Sequence, residues 1–381
     1  MIVKEKCICL KTAKQECHQG LFACGTQDGQ IFIGHAYDEP TQRDADIQFY
    51  NIRYYESTSL LEKEKQNLRI LMPRVESEKI HRCTVYDLQW MSQDRQIITV
   101  GADQICQIMD LEQQVILDSV GHHTASIKCV THSEDESIIA TGGRDGKVYF
   151  YDTREGLQNP THSFTFTQMK FGSQSPVLNG KKAVGGSLQV PAVTGLAFSR
   201  NYLLNVVESL TEKITLLDVR KLSTAKCKKG LSDKIVSGQV ENNYFTKLFN
   251  DTCTSTKGSS WIVVKDFKML VSSTDHMNNY YDMTNLLGEP PLRFTGHKAS
   301  SDFSVRSNFG FGQSMIISGS EDSFVYIWDI KRRTLLGRLG STSHSFGHTG
   351  VVNEAHTIGS DVIISGSDDM SVIVWELIKS S

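Results

Sequence analysis

His348, Ser365 and Asp369 are residues of the kinds used in nucleophilic catalysis: an imidazole to take a proton, a hydroxyl to attack, a carboxylate to orient the ring. The set is not unique in this chain. His297, Ser318 and Asp322 repeat it, and His122, Thr141 and Asp145 repeat it with threonine. Each copy ends six residues after its aspartate on a bulky ring: Trp375, Trp328 and Tyr151. Recurrence in register marks architecture, because a buried polar chain is tolerable only when every member is satisfied. Gly-x-Ser-x-Gly, a Walker loop, His-Glu-x-x-His and a Cys-x-x-Cys pair are all missing. A non-catalytic protein is expected.

A second pattern offers binding rather than bond-breaking. Two successive copies of the repeat finish with Asp-x-Arg, at Asp152-Thr153-Arg154 and Asp218-Val219-Arg220. Both follow directly on the bulky position, so both arginines are expected on one rim of the molecule. Two guanidiniums there would be permanently charged forks suited to a partner's carboxylates or backbone carbonyls. The competing reading is that each arginine serves its own aspartate or a neighbouring repeat, an ion pair worth little when exposed.

The element that carries these residues is a hairpin: a small-residue strand end, an acidic tight turn, and a strand ending on the ring. It is clearest at Ser318 to Asp329 and at Ser365 to Glu376, whose tryptophans stand 47 residues apart. Asp275 before Tyr281, Asp103 before Met109 and Asp44 before Tyr50 continue the pattern, with a weak copy at Thr211 before Leu217. That makes seven. Asp28-Gly29 is read as a turn between the first two strands of the opening repeat. Gly121-His122, Gly296-His297 and Gly347-His348 precede three of the copies, and His81 holds the same place without a glycine.

These residues resemble the WD40 repeat, with a period suited to propeller blades. The resemblance implies an all-β fold, a single seven-bladed propeller over residues 1–381, in which His, Ser or Thr, Asp and Trp of a blade form one hydrogen-bonded chain. The N-terminal segment is expected to close the last blade and remove an exposed edge. Long loops are expected at about 57–79, 155–190 and 222–258, the last two with basic runs read as solvated faces.

Tandem Asp-x-Arg ends resemble those of WD40 substrate receptors of cullin-RING ubiquitin ligases, although Tyr151 and Leu217 stand where that group has tryptophan. The resemblance implies that Asp152, Arg154, Asp218 and Arg220 dock a triple-propeller adaptor, the damaged-DNA-binding protein. The text around them is similar to the denticleless-type (Cdt-two) receptors: Thr141-Gly-Gly-Arg-Asp-Gly, the lysine-containing insert, Leu217 to Lys221, Gly258-Ser-Ser through Thr284, and Phe294 to His297 with Ser304-Val-Arg306. This implies a nuclear receptor that presents replication and cell-cycle proteins, at times bound to a sliding clamp, for ubiquitination. A general WD40 scaffold for chromatin or RNA assembly is the alternative. Such receptors commonly carry a long C-terminal extension, and nothing assigned to that tail is carried over.

Composition adds bounds. Net charge is −3, which offers no bulk attraction to nucleic acid. No apolar run reaches membrane length, and Met-Ile-Val-Lys-Glu-Lys lacks a secretory profile. Nine cysteines without framework spacing fit a reducing compartment. Cys7, Cys9, Cys17, His18 and Cys24 could ligate a metal, but their spacing matches no paired site and they are read as strand filling. No metal or cofactor is expected.

Overall fold

A computed structural model of the chain describes residues 6–15, 20–36, 50–54, 80–113, 115–166, 169–170, 188–200, 202–210, 214–221, 258–284, 290–300, 304–340 and 347–377. These residues are almost entirely strand and turn, and seven of their eight antiparallel sheets form the blades of a ring, a seven-bladed β-propeller. No helix among them is long and apolar enough to cross a membrane.

The ring follows from strands that are apolar on both faces. Second strands carry paired apolar residues, such as Ile97-Ile98, Ile316-Ile317 and Ile363-Ile364, all fully buried. Successive side chains of a strand point to opposite faces. Ile97 therefore packs towards the first blade and Ile98 towards the third, while Ile363 faces the sixth and Ile364 the first. Seven apolar clusters result, one at each contact between neighbouring blades. The small residues at the ends of second strands have a matching cause. A Cβ on Gly25 would lie 2.7 Å from Val85, and one on Gly142 2.5 Å from Val193, each on the inner strand of the next blade. The ring narrows there and leaves no room for a side chain.

The opening of the chain differs from the expected arrangement. Cys7–Thr12 is the inner strand of the first blade, paired with Leu21–Thr26, which pairs in turn with Ile31–His35. Asp28 turns between the second and third strands of that sheet, where it accepts a hydrogen bond from the Thr26 hydroxyl at 2.6 Å. The first copy of the repeat is thus Asp28, not Asp44, which lies outside the described residues. The last sheet is completed by Tyr50–Tyr54, in register with Val372–Leu377, and not by the first residues of the chain. The reason is burial: Cys7, Cys9 and Leu10 are inaccessible and suited to an inner strand. Cys7 and Cys24 meet sulfur to sulfur across the first two strands, a pairing the spacing did not indicate.

The expected loop at 155–190 contains the outer strand of the third blade, His162–Thr165, and a two-residue ladder between Met169–Lys170 and Leu188–Gln189. The expected loop at 57–79 and that at 222–258, apart from Gly258, lie outside the described residues.

Candidate docking site

In each blade the first and third strands run in the same sense, so their C-terminal ends open on one face. The Asp turns of the polar chains, between second and third strands, open on the other. Asp152 and Asp218 end the third strands Lys147–Asp152 and Ile214–Asp218 of neighbouring blades. Each carboxylate caps the turn that follows, accepting the backbone N–H of Arg154 at 3.0 Å and of Arg220 at 3.1 Å. The same carboxylate then receives its own arginine side-on. Arg154 Nε donates to Asp152 Oδ1 at 2.8 Å and its Nη2 to Oδ2. Arg220 Nε and Nη2 reach Asp218 at 3.0 and 2.9 Å. The hydrogen bond and charge of Arg154 hold the Asp152 carboxyl below its ordinary range, and both guanidiniums are raised further by their aspartates.

Neither arginine is buried against a neighbouring blade. The Arg154 side chain is 79% exposed and that of Arg220 62%, while their aspartates are 20% and 5% exposed. A guanidinium has five N–H donors; two go to the aspartate, and the outer edge of the fork faces solvent. The Arg220 guanidinium also lies 5.3 Å from the ring of Tyr202. Chemically this is a pair of pre-oriented cationic forks.

The polar chains form on the opposite face, with two differences from expectation. In the last blade the set is complete: His348 meets Asp369 at 3.0 Å through Nδ1 and Ser365 at 2.8 Å through Nε2, and Trp375 Nε1 donates to Ser365 at 2.8 Å. Burial pushes the Asp369 carboxyl up, but His348, Ser371 and the Thr349 N–H together hold it well below its ordinary value. His81, Thr99 and Asp103 form the same triangle in the second blade. In the third blade the partner of Asp145 and Thr141 is His123, at 3.0 and 2.9 Å, and not His122. His122 is shifted outward by one residue and its Nδ1 lies 3.3 Å from the Tyr151 hydroxyl. In the sixth blade the chain does not form. Asp322 accepts from the Tyr326 hydroxyl at 2.8 Å, Ser318 is bonded to Ser307, and Trp328 Nε1 donates to the Thr295 carbonyl. Both nitrogens of His297 are buried without a hydrogen bond, and its ring stands edge-on to Trp328.

The inner strands hold a charged cluster that no repeat signalled. Arg306, buried, pairs with Asp87 at 3.0 Å and Glu354 at 3.1 Å, and its guanidinium lies 4.0 Å from the Trp261 ring centre. Lys11 takes the other Glu354 oxygen, and His356 bonds to it at 2.9 Å. Burial raises the Glu354 carboxyl, but Lys11, Arg306 and His356 outweigh it and hold the group well below its usual range. Beside the cluster, a cavity of about 550 Å³ bounded by Lys11, Trp90, His132, Trp261 and His356 opens at the C-terminal ends of the inner strands. Among the described residues no group of three or more His, Cys, Asp or Glu is placed to hold a metal ion; Cys17 and His18 lie outside them.

Comparison with known proteins agrees with this architecture. The family model of the WD domain, G-beta repeat (WD40) matches residues 114–152, 288–329 and 340–376. The Denticleless protein homolog of Gallus gallus is 25% identical over 306 residues, covering 77% of this chain and 39% of that protein. The Mus musculus homolog is 26% identical over 263 residues, 66% of this chain and 34% of that protein. The Drosophila melanogaster protein lethal(2)denticleless is 24% identical over 265 residues, 66% and 33%. The chain thus spans between a third and two fifths of the length of these relatives.

Proposed function

From a denticleless-like WD40 propeller that carries two exposed arginine forks on one face, we propose a substrate-recognition subunit of a cullin-RING ubiquitin ligase. Arg154 and Arg220 grip the damaged-DNA-binding adaptor. The opposite face, with the turns of the polar chains, takes the degron of a replication or cell-cycle protein, and the work is done in the nucleus. The chain presents a substrate and leaves the chemistry to the rest of the ligase. A propeller suits the task because its two faces are independent surfaces held by one rigid ring.

The observation that carries this reading is the exposure of both guanidiniums at equivalent positions of adjacent blades. Each arginine does serve its own aspartate, as the competing reading has it, but neither guanidinium is buried against a neighbouring blade. Each aspartate orients its arginine before any partner arrives, which lowers the ordering cost of binding. Replacing both Arg154 and Arg220 by Ala is expected to abolish co-purification of the adaptor. The thermal transition should stay within a degree or two, because exposed pairs contribute about 0–1 kcal/mol each. Undiminished adaptor binding by the double variant rejects the proposal.

A further inference from the structure

Nine large apolar side chains stand exposed among the described residues, and five of them sit on just two strands. Val115, Ile116 and Leu117 open the outer strand of the second blade, Val115–Val120. Leu335 and Leu336 lie near the start of the outer strand of the sixth, Thr334–Leu339. Successive side chains point to opposite faces of a sheet, so neither face of these stretches is covered by a neighbouring blade. Each strand is the last of its four-stranded sheet, and no other described strand pairs with its outer edge. A bare apolar edge is a template for pairing, which propellers ordinarily avoid. The outer strands of the third and fifth blades, His162–Thr165 and Leu292–Thr295, carry no exposed large apolar side chain.

The two edges are opposite in charge. Asp110 and Glu112 precede the apolar run of the second blade and Asp118 follows it, against one cation, Arg95, on the adjoining turn. Lys331, Arg332 and Arg333 precede the run of the sixth blade and Arg338 follows it, while Asp329 pairs with Arg332 at 3.8 Å. Both outer strands start from the arginine face. Laid side by side with the same face upward, the acidic turn meets the basic turn and the apolar runs meet each other. One chain cannot make this contact with itself, since three blades separate the edges on one side of the ring and two on the other.

We infer that the outer edge of the second blade docks the outer edge of the sixth blade of a second copy of this chain. The two patches differ, so the contact is heterologous and repeats from copy to copy. Charge selects it over like with like, which would set carboxylates against carboxylates. The contact uses only the sides of the ring and leaves the arginine forks of every copy on one open face.

Sedimentation equilibrium of the full chain tests this with two capped variants, altered only at exposed positions and checked by melting temperature. Ile116→Lys with Leu117→Lys blocks the edge of the second blade, and Leu335→Lys with Leu336→Lys that of the sixth. The unaltered chain is expected to gain mass between about 10 and 200 µM, since contacts of modest area are weak. Each variant alone should stay a monomer over that range. Their equimolar mixture should form a one-to-one dimer and go no further, because each supplies the edge the other lacks. Should a capped variant melt early, charge alone gives a second route: Glu112→Lys is expected to weaken association several-fold, and Lys331→Glu added to the same chain to restore it. An unaltered chain that remains a monomer throughout overturns the inference. So does a mixture of normally melting variants that fails to dimerise, or a sixth-blade variant that still associates with itself.

Discussion

At the scale of single residues, His297 is the informative exception. Its counterparts His81, His123 and His348 are held by a carboxylate and a hydroxyl, whereas it is buried between rings with neither nitrogen bonded. Burial, assisted by His276, pushes it from 6.5 down to about 4. Between those values the unfolded chain binds a proton that the folded chain refuses. Its contribution is complete above pH 6.5 and lost as pH falls towards 4, on the order of 3 kcal/mol. His297→Phe, which keeps an edge-on ring against Trp328, is expected to remove that part of the pH dependence. Urea unfolding at pH 7 and pH 4.5 measures it. His132 and His356 are also pushed down by burial, so the comparison is between variant and unaltered chain. Equal losses in the two would refute the assignment. The Gly-His pair cannot separate His297 from His348, because the difference lies in whether Asp322 turns to the Tyr326 hydroxyl.

At the scale of elements, the middle and end of the chain were legible because each hairpin is local. An acidic turn, a small residue before it and a ring after it lie within a dozen residues, and Asp-x-Arg is closed by a carboxylate two positions away. The first blade was not legible in the same way. Six residues beyond Asp28 stands Gly34, where other blades have a bulky side chain. The aromatic run ending at Tyr50 therefore stood out in its place. Its strand pairs across 323 residues, Trp375 with Ile52, and no local pattern announces so distant a partner. Replacing residues 50–54 by a Gly-Ser linker is expected to cost about 2–5 kcal/mol of ladder bonds. Hydrogen exchange should lose protection first in Val372–Leu377; unchanged protection there would contradict the pairing.

At the scale of the whole molecule, the buried ions of the inner strands do what no single blade can. Lys11, Asp87, Arg306 and Glu354 come from the first, second, sixth and seventh blades, with Trp261 of the fifth against the guanidinium and the Val130 N–H of the third on Asp87. Such pairs cost desolvation, yet removing one member leaves the others buried and unpaired. Arg306→Leu is expected to destabilise the protein by about 3–5 kcal/mol in chemical denaturation, far more than loss of both exposed arginines. A change under about 1 kcal/mol would show that the cluster is idle. None of this was readable beforehand, since Arg306 and Asp87 are 219 positions apart. The clasp formed by Tyr50–Tyr54 has a consequence for synthesis. That segment leaves the ribosome early, but its mate is Val372–Leu377, so a nascent chain must keep it waiting until that strand has been made. Until then the growing protein is an open horseshoe with a bare margin, prone to mispairing, and it becomes a circle only once both strands of the clasp are present.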